Sequence, residues 1–105
     1  MTVKIISSQR FLDDNTVSQK IKDEDFEVQL SPVFTLDNQD YQVVTDGHHS
    51  LAAAKQAGVQ PVFYVQNSSQ NDRIGLIETG EIDDFLSLSR IDSDWYDIET
   101  GWYIW

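Results

Sequence analysis

Val43-Val44-Thr45-Asp46-Gly47-His48-His49-Ser50-Leu51-Ala52-Ala53-Ala54-Lys55-Gln56-Ala57-Gly58 is the stretch that decides how this chain is read. An apolar strand, Tyr41 to Thr45, runs into Asp46-Gly47. A small-residue helix from His48 to Ala57 follows at once, and Gly58 stops it. Both histidines of the chain, His48 and His49, fall at that helix's N-terminus. Such an end carries free backbone N–H groups and a partial positive charge, which together attract anions. The histidines add groups that donate hydrogen bonds or move protons near neutral pH. The combination points to a phosphate or nucleotide pocket built from Asp46, Gly47, His48, His49 and Ser50.

Upstream, Val3-Lys4-Ile5-Ile6 reads as a short strand. Asp13 to Thr16 reads as a turn or helix cap, and Val17 to Lys22 as a short helix. Asp23-Glu24-Asp25 reads as a solvated acidic loop or a helix end; with Glu27 these acids have a general base or metal ligand as their functional alternative. Val33-Phe34-Thr35-Leu36 has strand composition, and Asp37 to Asp40 supplies turn residues before the strand from Tyr41, so a β-hairpin is expected. Downstream, Pro61-Val62-Phe63-Tyr64-Val65 is another strand. Strand, helix and strand with short links suggest a crossover between parallel or nearby strands.

Composition changes at Gln66, where Asn67 to Asp72 forms a polar link. Ile82 to Leu88 then places apolar residues on one helical face. Trp95 to Trp105 has strand-forming residues on both sides of Thr100-Gly101, the pattern of a terminal hairpin. The expected organisation is a core over residues 1–66 and an acidic, Trp-rich extension over 67–105 packed on the same domain.

The chain has 105 residues, no cysteine, and 18 acids against seven bases, for a net charge of −11. Length suffices for one domain. Without cysteine there is no disulfide and no thiolate metal site. No apolar run is long enough to cross a bilayer, and the N-terminal apolar block is too short for a signal peptide, so a cytoplasmic location is expected. Nucleic-acid binding needs Lys and Arg to displace counterions. The few bases here are scattered, which disfavours direct nucleic-acid contact but not a small nucleotide in one pocket.

At Asp46-Gly47-His48-His49 and the Ala-rich helix after it, the chain resembles the ParB/sulfiredoxin-like superfamily. The matching pieces are Val43 to His49, then Leu51-Ala52-Ala53-Ala54-Lys55-Gln56-Ala57-Gly58, then Pro61 to Val65. Ser31-Pro32-Val33 is similar to the family's Gln-Pro-Ile strand entry. The resemblance covers roughly residues 1–66 and is strongest over 41–65. It implies a small α+β fold, with a mixed sheet, packed helices and a nucleotide pocket at the helix N-terminus. Members include CTP-hydrolysing partition clamps, ATP-using sulfiredoxins, free-serine kinases and proteins labelled as nucleases. By that likeness Gly47 lets the backbone approach phosphates, and His48 and His49 contact phosphate or shuttle protons as catalytic residues. Asp46 orients a histidine or helps hold Mg²⁺ beside a nucleoside di- or triphosphate.

The chain departs from the family in four places. Ser50 stands where the family has a phosphate-gripping arginine, whose charge a serine cannot replace. The sulfiredoxin cysteine is missing, which excludes sulfinic acid repair. The helix before the Ser31-Pro32 strand entry is short, and nothing after Gln66 reads as a helix-turn-helix. A stand-alone relative is implied, of phage or plasmid type, acting on nucleotides by phosphotransfer or phosphodiester hydrolysis.

The residues also have plainer readings. His48-His49 can be a polar helix end, Asp46 a cap, and Lys55 a solvated lysine. A different function is an acidic interaction protein that mimics nucleic acid and binds a basic partner. Asp92, Asp94, Trp95, Asp97, Glu99 and Trp102 would form its binding face, because Trp and Tyr dominate interface hot spots.

Overall fold

The hairpin forms around Asp37-Asn38. Both residues adopt positive φ, 51° and 63°, the geometry of a two-residue turn that Asp and Asn tolerate. In the computed structural model, which describes residues 2–105, that turn joins Phe34–Leu36 (β3) to Gln39–Asp46 (β4). Before them come Lys4–Ser7 (β1), Asp14–Lys22 (α1) and Glu27–Leu30 (β2). After them come His48–Ala57 (α2), Val62–Val65 (β5), Ile74–Glu78 (α3), Ile82–Ser89 (α4) and Tyr96–Asp97 (β6).

The strands form one six-stranded mixed sheet in the order β5-β2-β4-β1-β6, with β3 also on β4. β1 runs parallel to β4, and β5 parallel to β2, while β2, β3 and β6 pair antiparallel to their neighbours β4 and β1. β2 and β3 lie end to end along the same edge of β4, interrupted at Ser31-Pro32. There the Ser31 amide donates to the Val43 carbonyl at 2.8 Å. The buried Ser31 hydroxyl in turn accepts from the Val43 amide at 2.9 Å, so a side chain fills the place of a missing strand carbonyl.

β4 is the central strand, and its alternation builds two cores. Tyr41 and Val43 face a cluster with Ile6, Phe34, Ile74, Phe85, Leu86 and Trp95, covered by α3 and α4. Val44 faces the other side with Val28, Leu30, Leu51 and Ile98, under α2. α2 also packs on α1. Ala53 and Ala54 are fully buried, as expected for a small-residue surface in close helix packing.

The sequence reading locates most elements to within a few residues and misses two. β2 has no counterpart in the sequence reading, because Glu27-Val28-Gln29-Leu30 follows Asp23-Glu24-Asp25 and only two of its four residues are apolar. α3 spans five residues, too short for a helical period to be visible. The crossover also differs in detail. β4 and β5 flank β2 and run antiparallel, because β2 already holds the slot beside β4 and β5 adds to its outer edge.

The terminal hairpin forms through a Tyr96–Tyr103 bridge, with the Asp97 amide donating to the Trp102 carbonyl at 2.9 Å. Residues 67–105 supply β6 to the sheet and Ile74, Phe85, Leu86 and Trp95 to the core. Among the described residues no helix is long and apolar enough to cross a membrane.

Candidate functional site

Gly47 sets the site. It is the residue before α2, with φ of +88°, and no side chain caps the helix. A Cβ at Gly47 would sit 2.5 Å from the Glu27 carbonyl oxygen and 3.0 Å from the Val28 Cα. The glycine therefore lets the α2 N-terminus press against the β2 backbone. The Asp46 carboxylate accepts from the Gly47 amide at 2.7 Å, which holds the turn. At the far end Gly58, at φ +69°, stops the helix, and the Val59 amide returns to the Ala54 carbonyl at 3.0 Å.

The first-turn amides of α2 have no partner inside the helix. Gly47 and the first-turn residues His48, His49 and Ser50 line a depression of about 390 Å³ together with Gln9, Thr16, Lys20 and Asp46. All five residues expected at the pocket thus lie together. A second hollow of about 180 Å³ adjoins it and shares Lys20, Asp46, Gly47 and Ser50, adding Asp25, Glu27 and Gln29.

The two histidines differ. His49 accepts a hydrogen bond at Nε2 from the Asp13 amide at 3.1 Å, so its proton sits on Nδ1 and it ties the start of α1 to α2. His48 is 8% exposed, and its Nε2 is buried with no hydrogen-bond partner among the described residues. Burial pushes its pKa down to about 4; His49 adds to the shift, and Asp46 and Asp92 oppose it. His48 is therefore a neutral imidazole at pH 7 in this state, poorly matched to proton shuttling there. Of the two roles expected for the histidines, phosphate contact or proton shuttling, the burial of His48 favours contact for that residue.

That burial predicts a pH dependence. An unfolded histidine titrates near 6.5 and the folded one near 4, so between those values the unfolded chain holds the extra proton. Stability then falls as pH drops through this window, by about 3 kcal/mol over its full width. Urea midpoints measured from pH 7 to pH 4 are expected to fall more steeply in the wild type than in His48→Asn. Parallel slopes would show that His48 does not titrate this way.

Ser50 is 98% buried by its 2% exposure, and its hydroxyl donates to Asp25 at 3.2 Å. Asp25 in turn pairs with Lys20 at 2.8 Å. Lys20, then the Glu27 amide, hold the Asp25 carboxyl below the usual range, and Asp25 holds the Lys20 ammonium above its own. Lys20 is thus the cation beside Ser50, delivered by the last turn of α1. Sequence reasoning missed it, since nothing in residues 14–22 signals that α1 packs against α2.

Asp46, expected as a metal ligand, spends one oxygen on the Gly47 amide. No group of three or more His, Cys, Asp or Glu side chains is placed around a common point among the described residues. Asp25, Glu27 and Asp46 do line one hollow, so one or two of them could complete the shell of a Mg²⁺ that arrives with phosphates.

The residues expected at a partner face differ in burial and in their partners. Trp95 is buried in the core at 8% exposure, which removes it from any binding surface; its size makes it worth more inside. Asp92 accepts from the Arg10 amide at 2.7 Å and the Phe11 amide at 3.3 Å. Asp94 pairs with Arg90 at 3.0 Å, and Asp97 accepts from the Glu99 amide at 2.8 Å. Glu99 is exposed, and Trp102 is 77% exposed. Arg10 lies 3.9 Å from the Tyr96 ring centre and 4.6 Å from that of Tyr103, pinning the hairpin to the loop after β1.

Fold and site together define a compact α+β domain with a mixed sheet, four helices and a polar depression at one helix N-terminus. No family model matches the chain, and no curated protein or solved structure matches it significantly.

Proposed function

We propose that this protein binds a phosphate group, carried by a nucleotide, at the N-terminus of α2. The observation that carries this reading is the depression itself, lined by the uncapped first turn of α2 together with Lys20, His49 and His48, whose buried Nε2 has no partner. Amides and imidazole nitrogens donate hydrogen bonds, and Lys20 supplies positive charge, which is a donor set suited to phosphate oxygens. At about 390 Å³ the depression falls within the range of small-molecule sites. The resemblance of Val43–Val65 to the ParB/sulfiredoxin-like superfamily supports the same reading.

Asp25, Glu27 and Asp46 surround the site with negative charge, so binding would depend on Mg²⁺. When bound, that ion would offset phosphate charge, and Asp46, with Asp25 or Glu27, would help hold it. Ser50 brings no charge, and Lys20 would take the place of the arginine expected there. Phosphotransfer or phosphodiester hydrolysis is the reaction class such a site would serve, with His49 as the acid or base. The reading as an acidic partner-binding protein gains less support, because Trp95 is in the core and Asp92, Asp94 and Asp97 have internal partners.

Calorimetric titration with ATP, CTP, GTP and inorganic phosphate, each with and without Mg²⁺, tests the proposal. At least one nucleotide is expected to bind with Mg²⁺ and to weaken at least tenfold, about 1.4 kcal/mol, in Lys20→Ala/His49→Ala. No heat and no rise in melting temperature for any of them would overturn it.

A further inference from the structure

β5 is exposed on both faces: Val62, Phe63, Tyr64 and Val65 are 48%, 40%, 47% and 58% exposed. It is also an outer strand of the sheet. The Val62 and Gln66 amides donate inward, to the Phe26 carbonyl at 2.9 Å and the Leu30 carbonyl at 2.8 Å. In a parallel ladder the alternate residues then point away, so Phe63 and Val65 present their N–H and C=O groups outward. Edge strands are commonly guarded by charge, bulges or internal proline. β5 has none of these, and only Pro61 precedes it. The opposite edge is treated differently, since β6 is covered by its bridge to Tyr103.

Charge indicates what meets this edge. Gln56 to Asn71 is a run of 16 residues without Asp, Glu, Lys or Arg, the longest in a chain of net charge −11. A basic partner would be drawn to the acidic surface elsewhere. A second copy, equally acidic, meets least repulsion here.

We infer that two copies of this chain associate through β5, pairing antiparallel about a two-fold axis at Tyr64. In that register Phe63 of each copy pairs with Val65 of the other, and the outward groups of both residues close hydrogen bonds across the axis. Tyr64 then faces its own counterpart. The patch is small beside the roughly 1,200 Å² of a stable interface, so the dimer is weak and reversible.

Sedimentation of the full chain tests this. The mass is expected to rise from 12.0 kDa toward twice that value with increasing concentration. Added salt should strengthen association by screening the like charge of the two copies. Tyr64→Lys sets two charges against each other on the axis, and Val65→Pro removes an outward donor while sparing the inner ladder; both should stay monomeric with unchanged circular dichroism. Because the chain has no cysteine, Tyr64→Cys gives a direct geometric check. Facing residues of a non-hydrogen-bonded antiparallel pair lie about 4.5 Å apart at Cα, within disulfide reach. Mild oxidation should link Tyr64→Cys into a covalent dimer at least tenfold faster than Ser69→Cys. A wild type that remains at 12.0 kDa up to roughly 1 mM, a Tyr64→Lys protein that dimerises as before, or equal cross-linking at both positions would overturn the inference.

Discussion

Gly47→Ala is expected to lower stability by about 2–4 kcal/mol, a large share of the roughly 5–15 kcal/mol available to a domain of this size. Two costs combine. Alanine at φ +88° is strained by about 1 kcal/mol. The new methyl would also stand 2.5 Å from the Glu27 carbonyl oxygen and 3.0 Å from the Val28 Cα. Both are backbone atoms of a paired strand and cannot rotate aside, so α2 must lift from β2, an overpacking cost of about 1–3 kcal/mol. Gly58→Ala is the control. Its φ of +69° carries the same strain, but no atom lies within 4 Å of the added Cβ, so only about 1 kcal/mol is expected. Urea midpoints of the two variants measure the difference, and equal losses would remove the close approach from the account. Since the lifted helix end is the proposed phosphate site, Gly47→Ala should lose ligand binding even where it remains folded.

Phe85→Ala is expected to cost about 3–5 kcal/mol, the range for removing a fully buried aromatic. Phe85 has no exposed surface and packs edge-on to Phe34 at 6.0 Å between ring centres. The core cluster it belongs to also holds Ile6, Val43 and Trp95, from β1, β4 and the segment before β6, so the loss should spread through the sheet. Trp fluorescence and hydrogen exchange of the β4 amides are expected to report the same, lowered transition midpoint. Retained β4 protection alongside an early fluorescence change would mean that residues 67–105 unfold independently of the rest.

These two residues mark how far the sequence could be read. Gly47 was legible as special, because glycine before a helix and after a strand signals a turn and a close approach. What it approaches was not legible: β2 begins 20 residues upstream in the chain, and Glu27 with the acids just before it masks its strand character. Phe85 was legible as one face of a helix by its spacing from Ile82 and Leu86. Its contact with Phe34 required knowledge that α4 folds back over the sheet. The α2 boundaries, His48 to Ala57, could be read in full because glycine brackets the helix at both ends and its stop is local chemistry.

The site divides in the same way. Asp46 to Ser50 are consecutive, so their meeting in one depression follows from the chain itself. Lys20 and Asp25 join them only through the packing of α1 on α2. His48 and His49 look equivalent in sequence, yet one is a buried imidazole without a partner and the other accepts a hydrogen bond from Asp13. Burial decides protonation, and burial belongs to the assembled fold.

By itself the sequence determined the local elements, namely the hairpin, the glycine-bounded helix, its polar N-terminus and the excess of acid. These depend on neighbours within a few residues, where backbone sterics and helix periodicity act. The tertiary structure alone decided the order of strands, the cation beside Ser50, the loss of Trp95 to the core and the exposure of β5. Each of these depends on which distant surfaces meet, and the burial energies that select among such pairings are sums over the whole chain.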